Sequence, residues 1–188
     1  NAYADKLRAA GVTVEEISLN IFDVANTAWQ ILMTAETCNN VSRYDGVKFG
    51  HRAAEYKNID ELYVNTRTEG FNFLTKAVIL YGSDVLSKNR YEDCYGKSLK
   101  VRRVIAEKFA KLMESYDTVL TPVCSKSAYA AYDISEAFQK VFEESVFTAV
   151  ANLIGVPALT SGGVQLMGKA FSESVLLSLA GSAERAGE

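Results

Sequence analysis

The sequence is poor in the residues that build metal sites and disulfide frameworks. It contains one histidine, His51, and three cysteines, Cys38, Cys94 and Cys124. Because the cysteines are odd in number and far apart, neither a disulfide framework nor a thiolate metal site is indicated. A zinc site would need ligands that the chain does not group. We therefore expect no bound metal.

Long apolar runs and runs of basic residues are also missing. No apolar stretch approaches the roughly 20 residues that cross a bilayer, and the first residues lack the basic-then-apolar layout of a signal peptide. The net charge is −3, and lysine and arginine are scattered. Neither a nucleic-acid stripe nor a membrane-surface patch is indicated. We expect a soluble, cytoplasmic protein.

Prolines number only two in 188 residues, and 48% of the residues are apolar, enough for a core of ordinary size. A helix is predicted over "AYADKLRAAG", closed by Gly11, and a short strand over "VTVEEISL". Apolar residues at three- and four-residue steps predict three more helices, over 71–86, 101–113 and 138–149.

Short apolar runs predict strands between these helices. "DTVLTP" is typical of a buried strand stopped by Pro122, and Gly155 can close a helix before Pro157 starts another strand. A last helix is predicted to begin at Ser172, a residue suited to capping. This alternation favours an α/β architecture with a largely buried sheet.

Reactive side chains form no complete catalytic set. His51 lies in a polar loop with no carboxylate partner marked nearby, and it is interpreted as a surface histidine. Cys94 is either an activated thiol or a small buried hydrophobe. The stretch "TSGGVQL" could cradle an oxyanion, but a tight link between two strands explains it more simply. A nucleophile, a base and oxyanion donors are not found together.

Five stretches together carry a family resemblance. They are "TAWQILMTAETCNNVSRYDGVKFGHR", "TRTEGF", "VLTP", "FTAVANLIGVPALTS" and "GGVQLMGKAFSESVLL". In order and approximate spacing they resemble the amidase-signature family, and within it the glutamine-hydrolysing A subunits of tRNA-dependent amidotransferases. "SRYDGVKFG" and "TRTEGF" are similar to that branch in particular. "ANLIGVPAL" and "GVQLMGKAF" are shared more widely by amidases.

The resemblance implies an α/β fold, a mixed β-sheet covered by helices, of which residues 1–188 are the C-terminal half of a single domain. The family's catalytic lysine and two serines would lie upstream, and the sequence contains no matching Gly/Ser-rich run. We therefore expect no catalytic residue here and no activity from this chain alone. The family's longer connection between the last two strands predicts a missing loop near 161–163.

The resemblance also implies a function for the complete protein. It would release ammonia from glutamine for the amidation of misacylated Glu-tRNA(Gln) or Asp-tRNA(Asn), together with the amidotransferase subunits B and C. Contact with tRNA would be indirect, through the partner. No cofactor is expected on this chain, since ATP and magnesium would serve the partner's reaction. The alternatives are a stand-alone amidase of another small amide and a non-catalytic binding module that lost the triad.

Arg67, in "TRTEGF", matches the arginine that holds the α-carboxylate of glutamine in this branch. A planar fork of donors pairs bidentately with a carboxylate and fixes its position and orientation. Orientation of this kind can supply several kcal/mol of a barrier. The alternative is a helix-flanking arginine paired with Glu69 or with solvent. Glu69, Gly70 and Phe71 would shape the turn and seat the next helix.

Two departures from the branch concern the substrate. Ser145 stands where the branch has an aspartate that contacts the amino group of glutamine, although Glu144 is next to it. Trp29 and Gln30 replace a usual tyrosine pair, and Trp29 is equally suited to core packing. Altered amide specificity is therefore an open alternative. The predicted substrate-binding residues are Arg67, Ser145, Trp29 and Gln30.

Overall fold

The computed structural model describes residues 2–20, 22–125 and 133–186. In that part of the chain the helices are α1 (Ala2–Ala9), α2 (Phe22–Asn40), α3 (Ile59–Gly70), α4 (Phe73–Val85), α5 (Lys97–Leu112), α6 (Ile134–Glu144), α7 (Ala149–Ile154) and α8 (Glu173–Arg185). The strands are β1 (Thr118–Pro122), β2 (Ala158–Ser161) and β3 (Val164–Gly168). A 3₁₀ turn (Val41–Arg43) follows α2, and a π-helical turn (Tyr91–Gly96) precedes α5. None of the described helices is both long and apolar enough to span a bilayer.

Two compact units make up the chain. The first comprises Asn1–Trp29, Lys100–Ala131 and Phe142–Glu188, and the second comprises Gln30–Leu99 and Tyr132–Val141. The division falls inside α2, α5 and α6, so these helices contribute residues to both units.

The sheet of the first unit is antiparallel, in the order β1-β3-β2. All five residues of the central strand β3 are buried. Gly162 and Gly163, with φ of +56° and +80°, join β2 to β3, as a tight hairpin turn with two left-handed residues requires. "TSGGVQL" is therefore a link between strands, and the α/β fold class is confirmed. The missing loop near 161–163 stays a prediction.

One face of the sheet packs against α1 and α8. Val164 and Leu166 alternate along β3 and so point to the same face. Two apolar clusters form there: Tyr3, Leu7, Val164 and Ala183 in one, and Leu166, Leu176 and Ala180 in the other. Residues of α1 and α8 therefore pack on the sheet through their apolar stripes.

The opposite face of β3 contains a buried polar side chain. Gln165 is 4% exposed, and its Nε2 donates to Thr121 Oγ1 at 3.3 Å and to the Phe147 carbonyl at 3.1 Å. Because a buried amide without partners is costly, these bonds fix the segment before α7 against the sheet.

The first predicted helix is confirmed as α1, and Gly11 follows it with φ of +84°. The strand predicted over "VTVEEISL" is wrong, because residues 12–19 pair with no strand in the described part of the chain. Val12 and Val14 still pack against the α1 cluster. The alternation of apolar residues in this stretch indicates that one side is buried. A β-strand also needs a neighbouring strand whose backbone it can hydrogen-bond to.

The helix predicted over 138–149 is two helices, α6 and α7, separated by a turn at residues 145–148. Gly155 closes α7 with φ of +71°, as predicted. The last helix begins after Ser172, as predicted, but no side-chain cap forms there. The Ser172 hydroxyl instead donates to the Lys169 carbonyl at 2.7 Å.

Two helices, α2 and α3, are not among the predicted ones; the second unit contains α3 and the part of α2 from Gln30 onward. The predicted helix over 71–86 is α4. The side chains of Asn58 and Asn72 cap α3 and α4, each accepting a backbone N–H of the first turn. The helices α2 and α4 approach closely, since a Cβ on Gly82 would lie 2.1 Å from the Thr34 carbonyl oxygen.

Candidate functional site

Arg67 lies in the last turn of α3, in the second unit, and is half-buried. Its Nη1 donates to two backbone carbonyls that follow α2, Val41 at 3.3 Å and Tyr44 at 3.2 Å. The guanidinium carbon lies 4.9 Å from the centre of the Phe71 ring. One edge and one face of the guanidinium are thus held in place, as a pre-organised binding group requires.

The Nε and Nη2 edge of this guanidinium differs from the anchored one. Within residues 2–20, 22–125 and 133–186, no acceptor bonds to Arg67 Nε or Nη2 and no carboxylate pairs with the group. The Nε–H and one Nη2–H are parallel donors, the arrangement that fits the two oxygens of a carboxylate.

The alternative pairing of Arg67 with Glu69 is wrong. Glu69 Oε2 lies 2.6 Å from His51 Nε2, and both side chains are 50% exposed. The surface position predicted for His51 is confirmed, but the histidine does have a carboxylate partner. Phe71 also does more than shape the turn, because its ring supports the guanidinium.

An open cleft of about 420 Å³ adjoins this arginine. It is lined by Met33, Glu36, Thr37, Asn40, Val41, Arg43 and Tyr44. Arg67 is not itself a lining residue. It bonds to the carbonyls of Val41 and Tyr44, so its anchored edge lies against residues of the cleft wall. The volume falls within the range of small-molecule sites.

The other predicted site residues are half-buried and divide between the units. Gln30 belongs with Arg67 to the second unit, and its carbonyl accepts from Thr34 Oγ1 at 2.7 Å. Trp29 and Ser145 belong to the first unit. The Trp29 ring packs edge-on against Phe142, with centroids 6.0 Å apart, so aromatic packing is part of its role.

Ser145 begins the turn between α6 and α7, and its carbonyl accepts the Ala149 N–H at 2.8 Å. The neighbouring carboxylate of Glu144 is fixed by Ser125, whose hydroxyl donates at 2.8 Å and whose N–H donates at 3.2 Å. The sequence places Glu144 next to Ser145 but carries no signal for Ser125, which only the fold brings to this carboxylate.

Cys94 is half-buried in the π-helical turn. A hydrogen bond with Cys94 and the charge of Asp84 raise the pKa of the Arg90 guanidinium above its ordinary value. The described residues contain no group of three His, Cys, Asp or Glu side chains able to hold a metal ion.

Comparison with known proteins decides the family. The sequence profile of the amidase family matches residues 1–177. The chain belongs to the amidase family. It is 36% identical over 188 residues to the A subunit of glutamyl-tRNA(Gln) amidotransferase from Fusobacterium nucleatum, covering 95% of this chain and 38% of that protein. The corresponding protein from Neisseria meningitidis is 37% identical over 186 residues, with coverages of 94% and 38%.

These relatives confirm the resemblance to the A subunits, and the chain spans about two fifths of their length. The crystal structure of the A subunit of glutamyl-tRNA(Gln) amidotransferase from Thermotoga maritima superposes with a TM-score of 0.50 at 23% identity. The match covers 92% of this chain and 35% of the crystallised one. This likeness supports the fold.

Proposed function

We propose that this amidase-family chain is the substrate-holding part of a glutamine amidohydrolase, the A subunit of a tRNA-dependent amidotransferase. The names of its relatives support the role. The observation that carries it is the state of Arg67, whose guanidinium is anchored on one edge and, among the residues that the structure describes, unpaired on the other. A free amino acid offers such a fork one carboxylate.

In this proposal the Nε and Nη2 edge of Arg67 grips the α-carboxylate of glutamine. Because Nη1 is already bonded to two carbonyls, the side chain loses little rotamer freedom when the substrate binds. Fixing the acid end orients the side-chain amide at the other end of the molecule. We place the serine nucleophile, which attacks this amide and releases ammonia, in the family's upstream Gly/Ser-rich signature.

In the cytoplasm, the ammonia would pass to the partner subunits B and C. These subunits would amidate the misacylated tRNA using ATP and magnesium. A second candidate is a stand-alone amidase of another small amide. It is favoured by Ser145, because a neutral hydroxyl is a poorer partner for the amino group of glutamine than a carboxylate is.

Ammonia release by the full-length gene product, alone and with its partner subunits, separates these functions. The proposal predicts turnover of glutamine that rises when the partners are added. Hydrolysis of other small amides without glutamine turnover would instead establish the stand-alone amidase. If no amide is hydrolysed and glutamine binds without turnover, the chain is a binding module.

A further inference from the structure

Residues 44–55, which we call the strap, run along the C-terminal half of α3 within the second unit. Three contacts join them: Asn65 Nδ2 donates to the Glu55 carbonyl at 2.9 Å, the Ala53 N–H donates to Thr66 Oγ1 at 3.1 Å, and His51 Nε2 lies 2.6 Å from Glu69 Oε2. Residues 51–55 of the strap therefore run antiparallel to the helix. Its first residue, Tyr44, supplies one of the carbonyls that hold Arg67.

Among the three α3 side chains that hold the strap, Thr66 is the most buried. It is 3% exposed, and the hydrogen bond from Ala53 to its hydroxyl is buried. Gly46 packs on the same side chain, since a Cβ there would lie 2.5 Å from Thr66 Oγ1. Gly46 also has φ of +76°, which a side chain would strain. Two separate points of the strap thus meet on one threonine.

The turn over residues 45–48, which contains Gly46, is itself closed. Asp45 Oδ1 accepts the N–H groups of Val47 at 2.8 Å and Lys48 at 3.0 Å. Tyr44, Asp45 and Gly46 are consecutive, so a shift of Gly46 away from Thr66 carries the Tyr44 carbonyl with it. The bond from Arg67 Nη1 to the Tyr44 carbonyl is 3.2 Å long, at the upper end of the usual N–H···O range of about 2.7–3.2 Å, so such a shift would break it.

We propose that Thr66 and Gly46 are positioning residues for substrate recognition. They hold the Tyr44 carbonyl on Arg67 Nη1, which keeps the Nε and Nη2 edge of Arg67 aimed at the acid end of the substrate. The inference rests on the proposed function, and it adds that selectivity for an α-carboxylate depends on Thr66, a residue that is only 3% exposed. Removing its hydroxyl leaves the buried Ala53 N–H without a partner and loosens the strap.

The sequence provides a matched control, because Arg67 lies between two threonines. Thr68 is exposed, and in the described part of the chain its hydroxyl makes no hydrogen bond. The same substitution can therefore be made on either side of the arginine in one helix. Thr66→Val removes the acceptor while keeping the shape, Thr68→Val removes an idle hydroxyl, and Thr66→Ser keeps the acceptor.

The test measures kcat/KM of the full-length gene product for glutamine and for 4-aminobutanamide, which is glutamine without its α-carboxylate. We expect Thr66→Val to lower kcat/KM for glutamine about tenfold and to leave the analogue unchanged. Thr66→Ser and Thr68→Val should behave like the wild type. Equal losses for both substrates would mean that Thr66 is merely structural, and the inference would be wrong.

A second readout does not depend on activity. Nitrogen-15 relaxation of the Arg67 Nε–H should show a side chain as rigid as the α3 backbone, with an order parameter of about 0.85. Thr66→Val should lower this value below about 0.6, and Thr68→Val should not. A mobile Arg67 in the wild type would overturn the inference without any variant, even if Thr66→Val fails to fold.

The two proposals fail in different ways. If the wild type turns over glutamine and its analogue equally well, the assigned role of Arg67 is wrong while the relaxation data still test the strap. If Arg67→Ala abolishes the preference for glutamine but Thr66→Val preserves both the preference and the rigidity, only the positioning role is refuted.

Discussion

Replacing Arg67 by alanine removes the fork that the account assigns to the substrate's carboxylate. The unpaired edge offers two charge-assisted hydrogen bonds, each worth about 1.5–3 kcal/mol. Because the residue is half-buried and not fully enclosed, we take the lower value for each. The sum of about 3 kcal/mol corresponds to a loss of somewhat more than 100-fold in kcat/KM for glutamine, at about 1.4 kcal/mol per tenfold.

Arg67→Lys separates charge from geometry. A lysine keeps the positive charge, but one ammonium cannot bond to the carbonyls of Val41 and Tyr44 and also present a two-pronged edge. We expect the kcat/KM of Arg67→Lys for glutamine to lie between the values of the wild type and Arg67→Ala. Arg103→Ala is the control, because this exposed arginine pairs, among the described residues, only with Glu107 on its own helix. The kcat/KM of Arg103→Ala for glutamine should remain within about twofold of the wild-type value.

The assay is ammonia release by the full-length gene product over a range of glutamine concentrations, with urea denaturation to check that each variant is folded. The reasoning would be refuted if Arg67→Ala were folded and its kcat/KM for glutamine matched that of Arg103→Ala.

Three further predictions concern stability in urea. Gly82→Ala should destabilise the chain by about 1–3 kcal/mol, because the new Cβ would strike the backbone of α2. Gly181→Ala should stabilise the chain by up to about 1 kcal/mol, because only the flexible tip of an arginine lies near the new Cβ. A neutral Gly82→Ala would contradict the close helix contact. The Leu166 side chain is 1% exposed, so Leu166→Ala should lower the free energy of unfolding by about 2–5 kcal/mol. The Leu177 side chain is 61% exposed, so Leu177→Ala should lower it by less than about 1 kcal/mol. Equal losses for the two variants would contradict the assigned core. The N–H groups of Lys48 and Val47 hold the pKa of Asp45 below its ordinary value, so the contribution of Asp45 to the free energy of unfolding is present above about pH 4 and is lost as the pH falls. The free energies of unfolding of Asp45→Ala and the wild type should therefore converge at low pH, and a difference that stays constant with pH would contradict this.

Local chemistry made part of the fold predictable. Gly11 and Gly155 close helices with positive φ, a property of the residue itself that needs no distant partner. The strand predicted over residues 12–19 failed because a strand depends on a neighbouring backbone, which local alternation does not report. Helix α2 escaped prediction because much of its buried face is alanine, at Ala25, Ala28 and Ala35, and gives little hydrophobic contrast.

Only part of the candidate site could be predicted from the sequence. The importance of Arg67 came from its motif, and its stacking on Phe71, four residues later, has a spacing that marks neighbours on a helix. Its anchors could not be predicted, because the carbonyls of Val41 and Tyr44 are 26 and 23 residues distant and carry no side-chain signature. The role of Thr66 was hidden for the same reason, since its partner is the backbone of Ala53.

The most direct measurement is a structure of the full-length gene product with glutamine bound. We expect both oxygens of the α-carboxylate within about 2.7–3.2 Å of Arg67 Nε and Nη2, while Nη1 keeps its bonds to Val41 and Tyr44. A bound glutamine whose carboxylate is held by other groups, with that edge of Arg67 facing water, would contradict it.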